Sequence, residues 1–103
     1  VAIDLDNNKI AWSYDGAFQG SANPVTGANM LTIAAPSTLA TGTYFPAFTQ
    51  KDQTKTFNVN FGEGFFGTTA AGTQADDNGQ GLFAYDVPAG YYAINTKNLE
   101  AYG

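Results

Sequence analysis

The sequence contains no cysteine and no histidine. The first absence removes disulfides, thiolate nucleophiles and cysteine metal ligands; the second removes imidazole bases and the common nitrogen ligands of zinc. Charge is also scarce, at 13% of residues, about half the usual share. Only four residues are basic, Lys9, Lys51, Lys55 and Lys97, and they are scattered along a chain of net charge −5. Binding a phosphate backbone needs clustered cations, so no nucleic-acid partner is expected, and the same sign argues against an anionic membrane surface. No apolar run reaches the length of a membrane-crossing helix. The Gly62-Glu63-Gly64 and Gly79-Gln80-Gly81 stretches lack the Lys-Ser/Thr that follows a phosphate-cradling loop. No cofactor is expected.

What is present suits a packed β domain. Hydrophobic residues make up 44% and aromatics 15% of the 103 residues, with 12 glycines, a mixture that favours strands and turns over helix. Val1, Ile3 and Leu5 alternate with Ala2, Asp4 and Asp6, which predicts a strand with its larger residues on a buried face. Asn7-Asn8 marks a turn, and Ile10, Trp12 and Tyr14 alternate up to a second turn at Asp15-Gly16. The first 16 residues therefore read as a β-hairpin. Asn23-Pro24 and Ala35-Pro36 mark bends, with a short strand possible between Met30 and Ala34. Thr43–Thr49, interrupted by Pro46, and Thr54–Phe61 read as a second hairpin turning at Asp52-Gln53. The glycine-rich stretch 62–81 reads as a long loop, Leu82–Val87 as a last strand, and Tyr91–Leu99 as an irregular tail. Short strands separated by glycine-rich turns predict an all-β antiparallel sandwich or barrel.

Few constellations suggest chemistry. Asp4, Asp6 and Asn8 imitate the opening of a calcium loop, but Lys9 and Asp15 stand where that loop needs glycine and a bidentate glutamate. Asp76, Asp77 and Asn78 form a second polar cluster on a glycine-rich segment; a solvated loop tip explains them better than a metal site. The remaining carboxylates sit in no motif for acid–base chemistry, so the chain is not expected to be an enzyme. Trp12, Tyr14 and Phe18 are the aromatics that would suit a stacking platform or an anchor for a partner. The apolar neighbours of Trp12 on its strand face assign it to the core instead. The candidate interaction surface is thus Tyr14, Phe18, Asp76, Asp77 and Asn78.

Four segments together resemble the SPRY (B30.2-related) domain. The stretch Val1-Ala2-Ile3-Asp4-Leu5-Asp6-Asn7-Asn8-Lys9-Ile10-Ala11-Trp12-Ser13-Tyr14-Asp15-Gly16 is similar to a hairpin of that family, an apolar-Asp strand followed by an apolar-x-aromatic strand. Tyr44-Phe45-Pro46-Ala47-Phe48 and Phe57-Asn58-Val59-Asn60-Phe61-Gly62 resemble two later strands. Pro88-Ala89-Gly90-Tyr91-Tyr92-Ala93-Ile94-Asn95-Thr96-Lys97-Asn98-Leu99 resembles the closing segment of such domains in phage and environmental-virus proteins.

The resemblance implies an antiparallel β-sandwich of the SPRY/concanavalin-like jelly-roll kind. It covers only the later part of the domain, so residues 1–103 are expected to be its C-terminal part, with further strands preceding Val1 in a longer polypeptide. It also implies a non-catalytic structural or interaction module of a phage virion, a fibre, appendage or capsid-surface protein. The expected partners are other virion proteins or copies of itself. The alternative is a carbohydrate-binding module that attaches to a host-surface glycan.

Overall fold

A computed structural model of the chain describes residues 1–49, 51, 56–66 and 68–102. The chain divides into two compact units, Val1–Thr56 and Phe57–Gly103. Among the described residues the regular structure is antiparallel β-sheet in short strands, with one short α-helix.

The first unit opens with the hairpin that the alternation predicts. Strand β1 (Ala2–Asp4) pairs antiparallel with β2 (Lys9–Ala11) in the register Ala2↔Ala11, Ile3↔Ile10 and Asp4↔Lys9. The connection is wider than a two-residue turn: it runs over residues 5–8 and is organised by Asp4. One Asp4 carboxylate oxygen accepts the Asn7 backbone N–H at 2.9 Å and the other accepts the Asn7 side-chain amide at 2.8 Å. Asn8 then takes φ 56°, a left-handed conformation that asparagine tolerates better than most residues.

A second, tighter hairpin joins β3 (Ser13–Tyr14) to β4 (Ala17–Phe18). Asp15 and Gly16 lie between them with φ 50° and 80°. Positive φ at both central residues matches the right-handed twist of flanking strands, which is why Asp-Gly is favoured at this kind of turn. A 3₁₀ turn at Gln19–Ser21 follows, and a bend closed by Asn23 brings the chain to β5 (Leu31–Thr32). Asn23 accepts the Gly27 N–H on its carbonyl and the Thr26 N–H on its side chain. Strand β5 adds to β2 in the register Lys9↔Thr32 and Ile10↔Leu31, giving a three-stranded sheet of order β1-β2-β5.

Alternation predicts two faces, and the structure corrects which one is covered. Ala2, Ala11 and Met30 are buried, whereas Val1, Ile3, Leu5, Trp12 and Leu31 are all exposed to a substantial degree. The register explains the division. Ile3, Ile10 and Leu31 are cross-strand partners and so share one face, while Ala2 and Ala11 share the opposite one. The covered side carries the small residues, and the bulky apolar row faces out. Trp12, expected in the core, is 46% exposed. It stands just beyond β2, held by its own carbonyl, which accepts the Gln19 N–H at 2.8 Å.

The expected second hairpin is not formed among the described residues. Residues 43–49 and 56–60 carry no strand assignment, and most of the turn between them lies outside the described residues. Pro46 has no N–H to give to a ladder.

The second unit departs further from expectation. The predicted long loop contains a hairpin, β6 (Phe65–Phe66) with β7 (Thr69–Ala70). The predicted strand 82–87 is reduced to a single bridge, Gln74↔Phe83, made by reciprocal bonds of 3.1 and 2.8 Å. The irregular tail ends in helix α1 (Thr96–Tyr102). Asn95 caps it by accepting the Asn98 N–H on its side-chain oxygen at 2.9 Å, the third-residue contact typical of an N-cap. Close backbone approach replaces long ladders here. A side chain at Gly81, which has φ 86°, would overlap the Phe83 ring.

Candidate functional site

The polar centre of the second unit is Asp76. The residue is 6% exposed, and its carboxylate accepts four hydrogen bonds. On Oδ1 these are the backbone N–H groups of Asn78 at 2.9 Å and Gln80 at 2.8 Å. On Oδ2 they are the Ala93 N–H at 2.9 Å and the Asn98 side-chain amide at 2.7 Å. The Asp76 backbone takes part as well, donating to Gln80 O at 2.9 Å and accepting from Gly79 N at 2.8 Å. One residue therefore closes its own turn and ties that turn to the tail and to helix α1.

Burial alone would push the Asp76 carboxyl up. The N–H donors of Ala93, Gln80, Asn98 and Asn78 together outweigh it and hold the group below the ordinary carboxylate range. The loop-tip reading is corrected at this residue. Both oxygens are engaged from within the chain, and N–H dipoles converging on a carboxylate favour the anion without a cation.

Its neighbours divide. Asp77 and Asn78 are exposed. Asp77 accepts the Gly90 N–H at 3.1 Å, fastening the Pro88-Ala89-Gly90 turn. The Asn78 side-chain amide donates to Asn98 Oδ1 at 3.2 Å. Asn98, itself 6% exposed, also donates to Ala93 O at 2.9 Å, so both ends of its amide are used. Sequence reading singled out Asp76, Asp77 and Asn78 but missed Asn98, Asn95 and the Ala93 amide. Their signal was faint: a buried amide has no spacing rule, and Asn95-Thr96-Lys97-Asn98 appeared only as part of a closing segment.

A second, smaller polar centre is Asn60. Its Oδ1 accepts the Gly62 N–H at 2.7 Å and the Gly64 N–H at 3.2 Å, while its Nδ2 donates to Leu82 O at 2.9 Å. Glu63 turns back to accept the Phe61 N–H at 2.7 Å. The Gly62-Glu63-Gly64 turn is thus held by Asn60, which takes up two of its amides.

In the first unit the candidates Tyr14 and Phe18 lie on the β3–β4 ribbon. Tyr14 pairs with Ala17 and Phe18 with Ser13, so the two aromatics occupy opposite sides of the ribbon. Tyr14 is 78% exposed and Phe18 half-buried. The larger surface feature is the uncovered face of the β1-β2-β5 sheet. It carries the Ile3–Ile10–Leu31 row, with Val1 and Trp12 in line by register, and a groove of about 210 Å³ lies where Ile10, Trp12 and Leu31 meet Gln19, Gly20, Ala22 and Asn29.

Among the described residues there is no cluster of three or more histidine, cysteine, aspartate or glutamate side chains that could hold a metal. No helix among them is long and apolar enough to cross a membrane. No family model, curated protein or solved structure matches the chain.

Proposed function

We propose that this chain is a non-catalytic structural or interaction module that works by burying its uncovered sheet face against another β-rich surface. The observation that carries this reading is the apolar row Ile3–Ile10–Leu31, flanked by Val1 and Trp12, on an antiparallel three-stranded sheet. Contiguous apolar surface of this kind marks an interaction site or a face that a second sheet covers in a sandwich. The SPRY-like β-sandwich is the architecture proposed for the assembled domain. The resemblance of Pro88–Leu99 to viral domain endings supports placing the module in a phage virion, with other virion proteins or further copies of itself as partners.

Carbohydrate binding is the second reading, and the exposure of Trp12 and Tyr14 favours it, since accessible aromatic faces are what sugars stack on. Two experiments separate the readings. Fixed-stoichiometry incorporation into purified particles, lost on Ile3→Asp/Leu31→Asp substitution, supports the first. Glycan binding abolished by Trp12→Ala or Tyr14→Ala, with particle incorporation unchanged, overturns it in favour of the second.

A further inference from the structure

Asn78-Gly79 is the only Asn-Gly dipeptide in the sequence. Asn-Gly is chemically fragile because glycine leaves its own backbone nitrogen free to approach the preceding side chain. When that nitrogen loses its proton it attacks Asn78 Cγ, and the Cγ–N bond of the amide breaks to release ammonia. The resulting succinimide takes up water at either carbonyl, giving aspartate or isoaspartate. No oxidant or reductant is needed, only base and water.

Here both reacting groups are engaged. The nucleophile, the Gly79 N–H, donates to Asp76 O at 2.8 Å. The electrophile, the Asn78 side-chain amide, is held on Asn98 Oδ1 at 3.2 Å. The Asn78 backbone N–H is fixed on Asp76 Oδ1 at 2.9 Å, and its carbonyl accepts the Gln80 side-chain amide at 3.2 Å. Asn78 and Gly79 are nonetheless exposed, so base and water reach the site freely. Access does not limit the reaction; conformation does.

The geometry points to Asn78 as a latent deamidation site that the Asp76–Asn98 clamp holds unreactive, and whose conversion opens the clamp. The second half follows from the product. An aspartate or isoaspartate at 78 loses the N–H donor to Asn98 Oδ1 and sets a carboxylate against that oxygen. It also makes three consecutive acids with Asp76 and Asp77, and like charges at this spacing repel. Isoaspartate additionally lengthens the backbone inside the turn that Asp76 closes. Conversion would thereby mark, once and irreversibly, a molecule whose clamp has stayed open long enough for the reaction.

The test is peptide mapping by mass spectrometry of the whole chain incubated at mildly alkaline pH, native and in urea, beside a peptide of residues 75–81. The native chain should convert Asn78 at least about tenfold more slowly than the peptide, the suppression that a local opening equilibrium imposes. Urea should abolish the difference. Asp76→Asn and Asn98→Ala should each accelerate conversion under native conditions. If either variant does not fold, the native-to-urea ratio of the unsubstituted chain still decides the point. Native conversion as fast as the peptide overturns the protection, as does conversion in folded variants that stays at the unsubstituted rate. Asn78→Asp, which installs one product, should lower the melting temperature of the second unit; an unchanged melt overturns the claim that conversion opens the clamp.

Discussion

At Asp76 the cost of burying a carboxylate is offset by four N–H donors, two on each oxygen. Asp76→Asn keeps the shape but turns one acceptor into a donor facing other donors. The expected loss is about 3 kcal/mol in urea unfolding of the second unit, the scale for stranding buried hydrogen-bond partners. The pH dependence has a definite sign. Because the folded-state pKa is depressed, the stabilisation is fully present above the ordinary aspartate range and is lost as pH falls through the lower folded value. Acid titration followed by tyrosine fluorescence should show this loss in the unsubstituted chain and a flatter profile in Asp76→Asn. The single tryptophan, Trp12, lies in the first unit and supplies an independent signal. At Trp12 itself, half-exposure predicts a cost of only about 1 kcal/mol for Trp12→Ala. A core tryptophan would cost roughly 3–5 kcal/mol, so one melting experiment distinguishes the two positions.

At the scale of elements, local turn chemistry was legible and long-range pairing was not. Asp15-Gly16 announces its hairpin because positive φ at both residues is a demand few dipeptides meet. Gly16→Val should cost about 1 kcal/mol or more in thermal melting, since a β-branched residue at φ 80° is strained. The β1–β2 pairing was legible from alternation, yet alternation is symmetric: it separates Ala2 and Ala11 from Ile3 and Ile10 without saying which pair is covered. Helix α1 was missed because its seven residues are too few to show a period and its cap, Asn95, lies inside a run read as irregular. Asn95→Ala should lower stability by about 1 kcal/mol, with Asn95→Asp largely retaining it, as measured by urea denaturation. Asp76 shows the same limit at the candidate site. Its place in a polar cluster was visible, but its burial depends on Ala93 and Asn98, which lie 17 and 22 residues away.

For the whole molecule, the uncovered apolar face sets the behaviour in solution. Ile3, Trp12 and Leu31 each retain 44–60% of their accessible surface, and apolar area removed from water contributes roughly 25 cal/mol per Å². Among the described residues strand β1 is also an edge of its sheet, paired with β2 on one side. An apolar face next to an open edge favours association through both packing and strand addition. Residues 1–103 expressed alone are therefore expected to self-associate in sedimentation velocity, with association rising with concentration and weakening when Ile3 and Leu31 are replaced by threonine. Threonine keeps the β-propensity of the strands, so far-UV circular dichroism should stay unchanged while the oligomer dissociates. A monodisperse monomer formed by residues 1–103 unaltered would show that this face needs no cover, and the interaction-module reading would lose the observation on which it stands.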